Sequence, residues 1–221
     1  FSIFLSGILV KTAFLGFLKL NFFFYNSNNY IFLYVVLFSF IGSTFSFLNQ
    51  NDFKKLIAYT TIQEMSLIGF FLLFFYNINI VILKYFLILH TLLTILFFSL
   101  NEFIYIRFLT RQLNLFLGCL YSLPKLSFFL ISLFLLFIGL PFFIKFFLEF
   151  LFLLKFFKKS KIFIFIFIIF LQYFSIIFFS KHFFSFLFGS FFKKPIFDLY
   201  KFDFLLLNLI FLLVYFFFLK R

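Results

Sequence analysis

Apolar residues fall into long runs separated by short charged or Asn-rich breaks, and each run of about 20 residues is long enough to cross a bilayer as a helix. The runs cover 1–24 and 30–48, the second ended by Asn49-Gln50-Asn51-Asp52. Lys54-Lys55 opens a third over 54–76, and a fourth covers 79–105. A basic connection from Arg107 to Lys125 leads into a run over 126–157, too long for one straight crossing at about 1.5 Å per residue. Gly139-Leu140-Pro141 stands in its middle, and because Pro removes a backbone hydrogen bond the pattern predicts a helix broken at Pro141. Lys158-Lys159-Ser160-Lys161 closes it. Runs over 162–180 and 204–219 follow, joined by a polar-interrupted connection from Lys181 to Lys201. The pattern predicts an all-α membrane protein, one transmembrane domain over 1–221 with about seven transmembrane helices, one of them broken.

Composition removes the soluble alternatives. With 66% apolar, 30% aromatic and only 11% charged residues, the chain lacks the polar side chains needed to cover a globular domain. Its 55 Phe, many Ile, Asn and Lys, and absence of Trp follow no packing logic, and are what an AT-rich organellar gene would encode. The net charge of +13 would suit nucleic acid in a soluble chain, but the cations cluster between the runs, where they suit lipid phosphates and orientation. Membrane lipids are the expected partners of that charge, and nucleic acid is not. Lys54, Lys55, Arg107, Arg111, Lys125, Lys181, Lys193, Lys194 and Lys201 fall on one side, assigned to the matrix or cytoplasm; Lys155, Lys158, Lys159, Lys161, Lys220 and Arg221 fall on the other. Cys119, the single cysteine, reads as a small buried apolar residue. The chain opens with Phe1 rather than Met and no cleavable leader precedes the first run, so either a missing upstream part or an unusual start is expected.

Four ionisable residues stand inside apolar runs, where each needs a polar interior: Lys11, Glu64, His90 and Glu149. The helix rise puts Lys11 roughly 15 Å from Phe1 and Glu64 roughly 14 Å past Lys55. His90 and Glu149 come to a similar depth, near the middle of a bilayer whose hydrocarbon is about 30 Å thick. Lys, Glu and His gain and lose protons once burial and neighbours adjust them, whereas Arg does not, and none of the four is Arg. A row of such groups suits lateral proton transfer; interhelical ion pairing and a hydrogen-bonded core histidine are the plainer alternatives. Lys145 lies four residues before Glu149, on the same helix face, and can pair with it. Lys145 and Lys54 are the candidate modulators of the row. Lys84 and Glu102 sit near the ends of their run and read as structural, while Asp198, Lys201 and Asp203 read as a solvated loop and the start of the last helix. No phosphate loop, paired CxxC or His-Glu-x-x-His pattern occurs, so no cofactor and no metal is expected in this chain.

Several stretches resemble one family. Gly7, the apolar Ile8-Leu9-Val10, Lys11 and Gly16 are similar to the eighth transmembrane helix of the antiporter-like proton-pumping subunits of respiratory complex I, with Lys11 on its central lysine. Asp52-Phe53-Lys54-Lys55-Leu56-Ile57-Ala58-Tyr59-Thr60-Thr61 resembles the signature that opens helix ten. His90 matches a histidine of helix eleven, Thr110-Arg111 the end of a His-Thr-Arg motif, and Gly139-Leu140-Pro141 with Glu149-Phe150 the broken helix twelve. Phe188-Gly189, Asp198-Leu199 and Asp203-Phe204 resemble the end of helix thirteen and the start of fourteen. The departures are Glu64 and Leu109, where the family has histidines, and Lys145, where a neutral residue is common.

The resemblance is nearest to the subunit 4 branch and covers its helices eight to fourteen. It implies half of an inverted-repeat antiporter-like fold, in a multi-pass subunit of proton-pumping NADH:ubiquinone oxidoreductase in the mitochondrial inner membrane, relaying protons through Lys11, Glu64, His90 and Glu149 without a redox centre. It further implies other complex I membrane-arm subunits as partners, with helices one to seven supplied by a separate chain or a segment outside this sequence. A cation/proton antiporter subunit of the same superfamily, or a structural membrane-arm subunit that has lost pumping, are the alternatives.

Overall fold

A computed structural model describes residues 2–16, 30–74, 80–113, 118–139, 143–159, 162–189, 198–201, 203–209 and 212. Pro141, the remainder of the first run beyond Gly16, and most of the last run lie outside the described residues. Within them the chain is all-α, as the run pattern predicts. Helix α1 spans Ser2–Gly16, α2 Tyr30–Asn49, α3 Phe53–Phe74 and α4 Ile80–Phe108. After a short α5, Cys119–Ser122, come α6 Pro124–Ile138, α7 Ile144–Lys159 and α8 Ile162–Phe188, then a helical segment α9 over 203–209.

Local chemistry sets the ends that matter. Asp52 starts α3 by accepting the Lys54 N–H on Oδ1 at 3.1 Å. The same turn is clipped to the chain beyond α4: the Phe53 N–H donates to the Arg111 carbonyl at 3.1 Å and the Leu113 N–H to the Asn51 carbonyl at 2.7 Å. Pro124 at the first turn of α6 lacks the N–H that a helix start cannot use. Gly139 ends α6 in the left-handed conformation, φ +71°, and α7 begins at Ile144. Long-run 126–157 is therefore interrupted immediately before the position of Pro141. Burial pushes the pKa of the Cys119 thiol up, in keeping with an inert core cysteine.

Two helix ends differ from the sequence expectation. Helix α8 continues through Lys181 and His182 to Phe188 instead of stopping at Ser180, because Lys181 points outward, exposed, while Phe183, Phe186 and Leu187 keep the helix packed. Helix α4 likewise continues to Phe108, so Arg107 is a buried helical residue and not part of a basic loop.

The core forms around α4, which touches α1, α3, α6 and α7. Its apolar stretch, Ile82–Phe108, is 56% buried, against 28% for Ile166–Phe188 of α8, so α4 is the central helix and α8 a peripheral one. These are the two described helices long and apolar enough to cross a membrane by length and composition. Phenylalanines knit the helices together: Phe134 stacks on Phe183 with centroids 4.0 Å apart, and Phe97 meets Phe137 and Phe179 edge to face. Other large apolar side chains face outward, Phe38 at 80% and Tyr34 at 70% exposure, as helices do when lipid or another subunit surrounds them.

Candidate functional site

Lys145 is the second residue of α7, just past the break, and its ammonium is the centre of the site. It donates to Glu64 Oε1 of α3 at 2.6 Å and to the Phe137 carbonyl at 2.5 Å, and stands 3.5 Å from Glu149 Oε1, one turn further along α7. The Phe137 carbonyl is available because α6 stops at Gly139 and leaves its last carbonyls without helical partners. The Phe137 ring lies under the same ammonium, 4.0 Å from Nζ. All three charged side chains are largely buried, at 5% exposure for Lys145, 11% for Glu64 and 19% for Glu149.

Gly139 shapes this cradle. A Cβ there would meet Phe146 N at 3.4 Å, Glu149 Oε2 at 3.6 Å and Lys145 Cγ at 3.7 Å, contacts that fit, but its φ is one that L side chains rarely adopt. Gly139→Ala is expected to cost about 1–2 kcal/mol for the left-handed backbone and to lower the thermal midpoint of the subunit. Gly139→Asn should lose less, since Asn tolerates that conformation better. Equal, undiminished midpoints for both variants in a melting experiment would contradict this.

Lys11 is buried in α1, and its ammonium donates to the Ser6 carbonyl. A π-helical turn over Leu5–Leu9 precedes it. Gly7 in that turn lets α1 approach α4, because a Cβ would come within 3.1 Å of Ile95 Cγ1. Lys11 attracts Glu64 electrostatically. His90, at 1% exposure in α4, feels the positive charges of Lys11 and Lys145, and neither of its ring nitrogens has a hydrogen-bond partner among the described residues. Glu64, Lys145 and Glu149 are thus in direct contact, while Lys11 and His90 join them through charge alone.

Lys54 lies elsewhere. It pairs with Glu102 of α4 at 3.8 Å, with side chains 31% and 40% exposed, about 15 Å along α3 from Glu64 by the helix rise. An exposed pair of this kind contributes at most about 1 kcal/mol, so Lys54→Ala should leave the amount of assembled subunit unchanged; a clear loss on a native gel would give Lys54 a larger role.

Three contacts escape a sequence reading. Glu64 and Lys145 stand in different helices, Gln63 Nε2 donates to Ser175 Oγ at 2.7 Å between α3 and α8, and Arg107 binds Asp203 at 3.1 Å. For the first two the cue is a polar residue in an apolar run, which marks the need for a partner without naming it, whereas Arg107 and Asp203 read as a loop cation and a helix start and carry no such cue. Among the described residues no group of three or more His, Cys, Asp or Glu is placed to hold a metal ion.

The described residues thus form a helical membrane-type bundle that keeps a buried carboxylate–ammonium–carboxylate cluster beside an interrupted helix. The description "NADH:quinone oxidoreductase/Mrp antiporter, TM" belongs to the family whose model matches residues 1–175. The chain belongs to that transmembrane family. It is 40% identical over 151 residues to NADH-ubiquinone oxidoreductase chain 4 of Paramecium tetraurelia, covering 68% of this chain and 32% of the relative. Among solved structures it is similar to a chain of respiratory complex I from Thermus thermophilus with bound NADH, with a TM-score of 0.67 and 25% identity over 83% of this chain and 40% of that one. It shares its fold with a chain of the membrane-bound sulfane sulfur reductase, an archaeal respiratory membrane complex, at a TM-score of 0.82 and 16% identity, covering 97% of this chain and 45% of that one. The chain therefore spans less than half of the length of each of these relatives, from 32% to 45%.

Proposed function

We propose that the chain is a proton-translocating membrane-arm subunit of NADH:ubiquinone oxidoreductase, corresponding to the C-terminal part of subunit 4 and lying in the mitochondrial inner membrane. In this reading it forms about seven spans, half of an inverted-repeat unit. The other membrane-arm subunits and a polypeptide segment supplying helices one to seven complete the machine. The observation that carries the reading is the buried Glu64–Lys145–Glu149 cluster beside the end of α6, in a chain of this family.

Protons move laterally through Lys11, Glu64, His90 and Glu149. Each can hold or release one, and His90, whose ring nitrogens have no partner among the described residues, can bond buried water or a moving proton. No redox chemistry is assigned to this chain; electron transfer elsewhere in the complex would alter the charges that these groups feel. Lys145 sets the charge between the two carboxylates, and Lys54 acts only from the rim.

Glu149→Gln tests the reading, because the amide nearly preserves shape and hydrogen bonding but cannot ionise. In the complete complex reconstituted into vesicles, protons moved per NADH oxidised are expected to fall while assembly persists. Undiminished pumping would sink the assignment and leave the cluster as simple neutralisation, the reading that the tight Glu64–Lys145 contact at 2.6 Å favours among the alternatives.

A further inference from the structure

Neutralisation alone leaves the placement of Lys145 half explained. One ammonium is lodged between carboxylates from two helices, Glu64 on α3 at 2.6 Å and Glu149 on α7 at 3.5 Å. An ammonium has three donors. Two go to Glu64 and to the Phe137 carbonyl, which does not titrate, and the third remains for Glu149 within a displacement of under about 1 Å of hydrogen-bond distance. The Phe137 carbonyl and ring hold Nζ at this midpoint whichever carboxylate it favours. Glu64 and Glu149 have no direct hydrogen bond to one another among the described residues, and Lys145 is the group that touches both.

We infer that Lys145 is itself a proton carrier, the bridge over which a proton passes between Glu149 and Glu64. Along the short contact an N–H bond of the ammonium breaks as an O–H bond forms on Glu64. The amine so produced takes a proton from the protonated Glu149 carboxyl, whose O–H bond breaks as the N–H bond of Lys145 is restored. The net charge of the three groups is the same before and after, and the proton has advanced by one carboxylate. Lys11, which attracts Glu64, supplies the neighbouring charge, and His90 feels the charge of both ammoniums. The inference rests on the pumping role proposed above and adds a residue to it.

Lys145→Arg is the decisive variant, since a guanidinium keeps the charge and the donors for both carboxylates but does not release a proton. In the complete complex in vesicles, K145R is expected to assemble and to pump no better than the Glu149→Gln variant. An infrared difference spectrum taken on NADH addition should show protonated-carboxyl bands in the parent, reassigned by Glu64→Gln and Glu149→Gln, and lost in K145R. Pumping by K145R at the parental level would overturn the bridge, because a merely structural ion pair is satisfied by Arg. The Glu64→Gln/Lys145→Met double variant is the second check. It removes the pair without leaving an unmatched ammonium, and its pumping should be lost, whereas parental pumping overturns the bridge. Impaired E149Q with unimpaired K145R sinks the bridge alone; unimpaired E149Q sinks the pumping role and the bridge with it.

Discussion

A complex carrying Lys145→Met is expected to lose most of its assembled form. Methionine matches the length and apolar stem of lysine, so packing beside Phe137 is nearly kept and the loss isolates the charge. What remains is Glu64 at 11% and Glu149 at 19% side-chain exposure, with no ammonium between them. Removing one partner of a buried pair commonly costs about 3–5 kcal/mol, because the survivor stays buried and unmatched. Proton uptake by one of the carboxylates reduces this, so the lower end, about 3 kcal/mol, is the expected value, roughly a hundredfold in the folding or assembly equilibrium. Neutralising Glu64 as well, in Glu64→Gln/Lys145→Met, should recover most of the assembly. Native gels with a temperature ramp measure both. A single variant as abundant and heat-stable as the parent would mean that the ammonium does not hold α3 to α7.

That experiment bears on how far the sequence could lead. Lys11, Glu64, His90 and Glu149 were conspicuous because each interrupts an apolar run, and they fall in α1, α3, α4 and α7 respectively. The Lys145–Glu149 contact was legible too, since a spacing of four puts both on one helix face. The stronger partner of Lys145 was not. Glu64 is 81 positions away, and its distance to Nζ depends on where α3 packs against α7, which no local periodicity records. The relation between the cluster and the break was half legible: Gly139-Leu140-Pro141 announces an interruption, but the Phe137 carbonyl turning into a ligand for Lys145 follows from the particular left-handed end at Gly139.

Helix ends are hidden in the sequence for a related reason. A run of apolar letters ends at its first charge, whereas a helix ends where its backbone bonds end. Lys181 projects outward while α8 goes on beneath it, and His182 brings Nε2 to 3.2 Å from the Phe47 carbonyl of α2. Arg107 shows the same difference more consequentially. Read as one of several loop cations, it is a buried member of the last turn of α4, and the acidic residues that looked solvated near the end of the chain are its partners.

Arg107→Met should therefore release the segment over 198–209 while leaving the Lys145 cluster intact. The guanidinium makes three hydrogen bonds: Nη1 donates to the Phe103 carbonyl at 2.8 Å, and Nη2 to Asp203 Oδ2 at 3.1 Å and the Asp198 carbonyl at 3.4 Å. Asp198 continues the link, its Oδ2 accepting the Lys125 N–H at the start of α6 at 3.0 Å, so one arginine joins α4, α6 and α9. Methionine fills the space of the stem but abandons Asp203, whose side chain is 22% exposed and can partly rehydrate. The penalty should consequently fall below that of a fully buried pair, about 2 kcal/mol, or roughly thirtyfold in the local opening equilibrium. Arg107→Lys keeps the charge without the planar fork, loses one of the two Nη2 contacts, and should fall between. Amide hydrogen exchange over 198–209 in the assembled complex measures this directly, with α3 and α7 as internal references. Faster exchange confined to 198–209 is the expected pattern; unchanged exchange there would show that apolar packing of Leu199 and Leu207, both buried, holds the segment without Arg107.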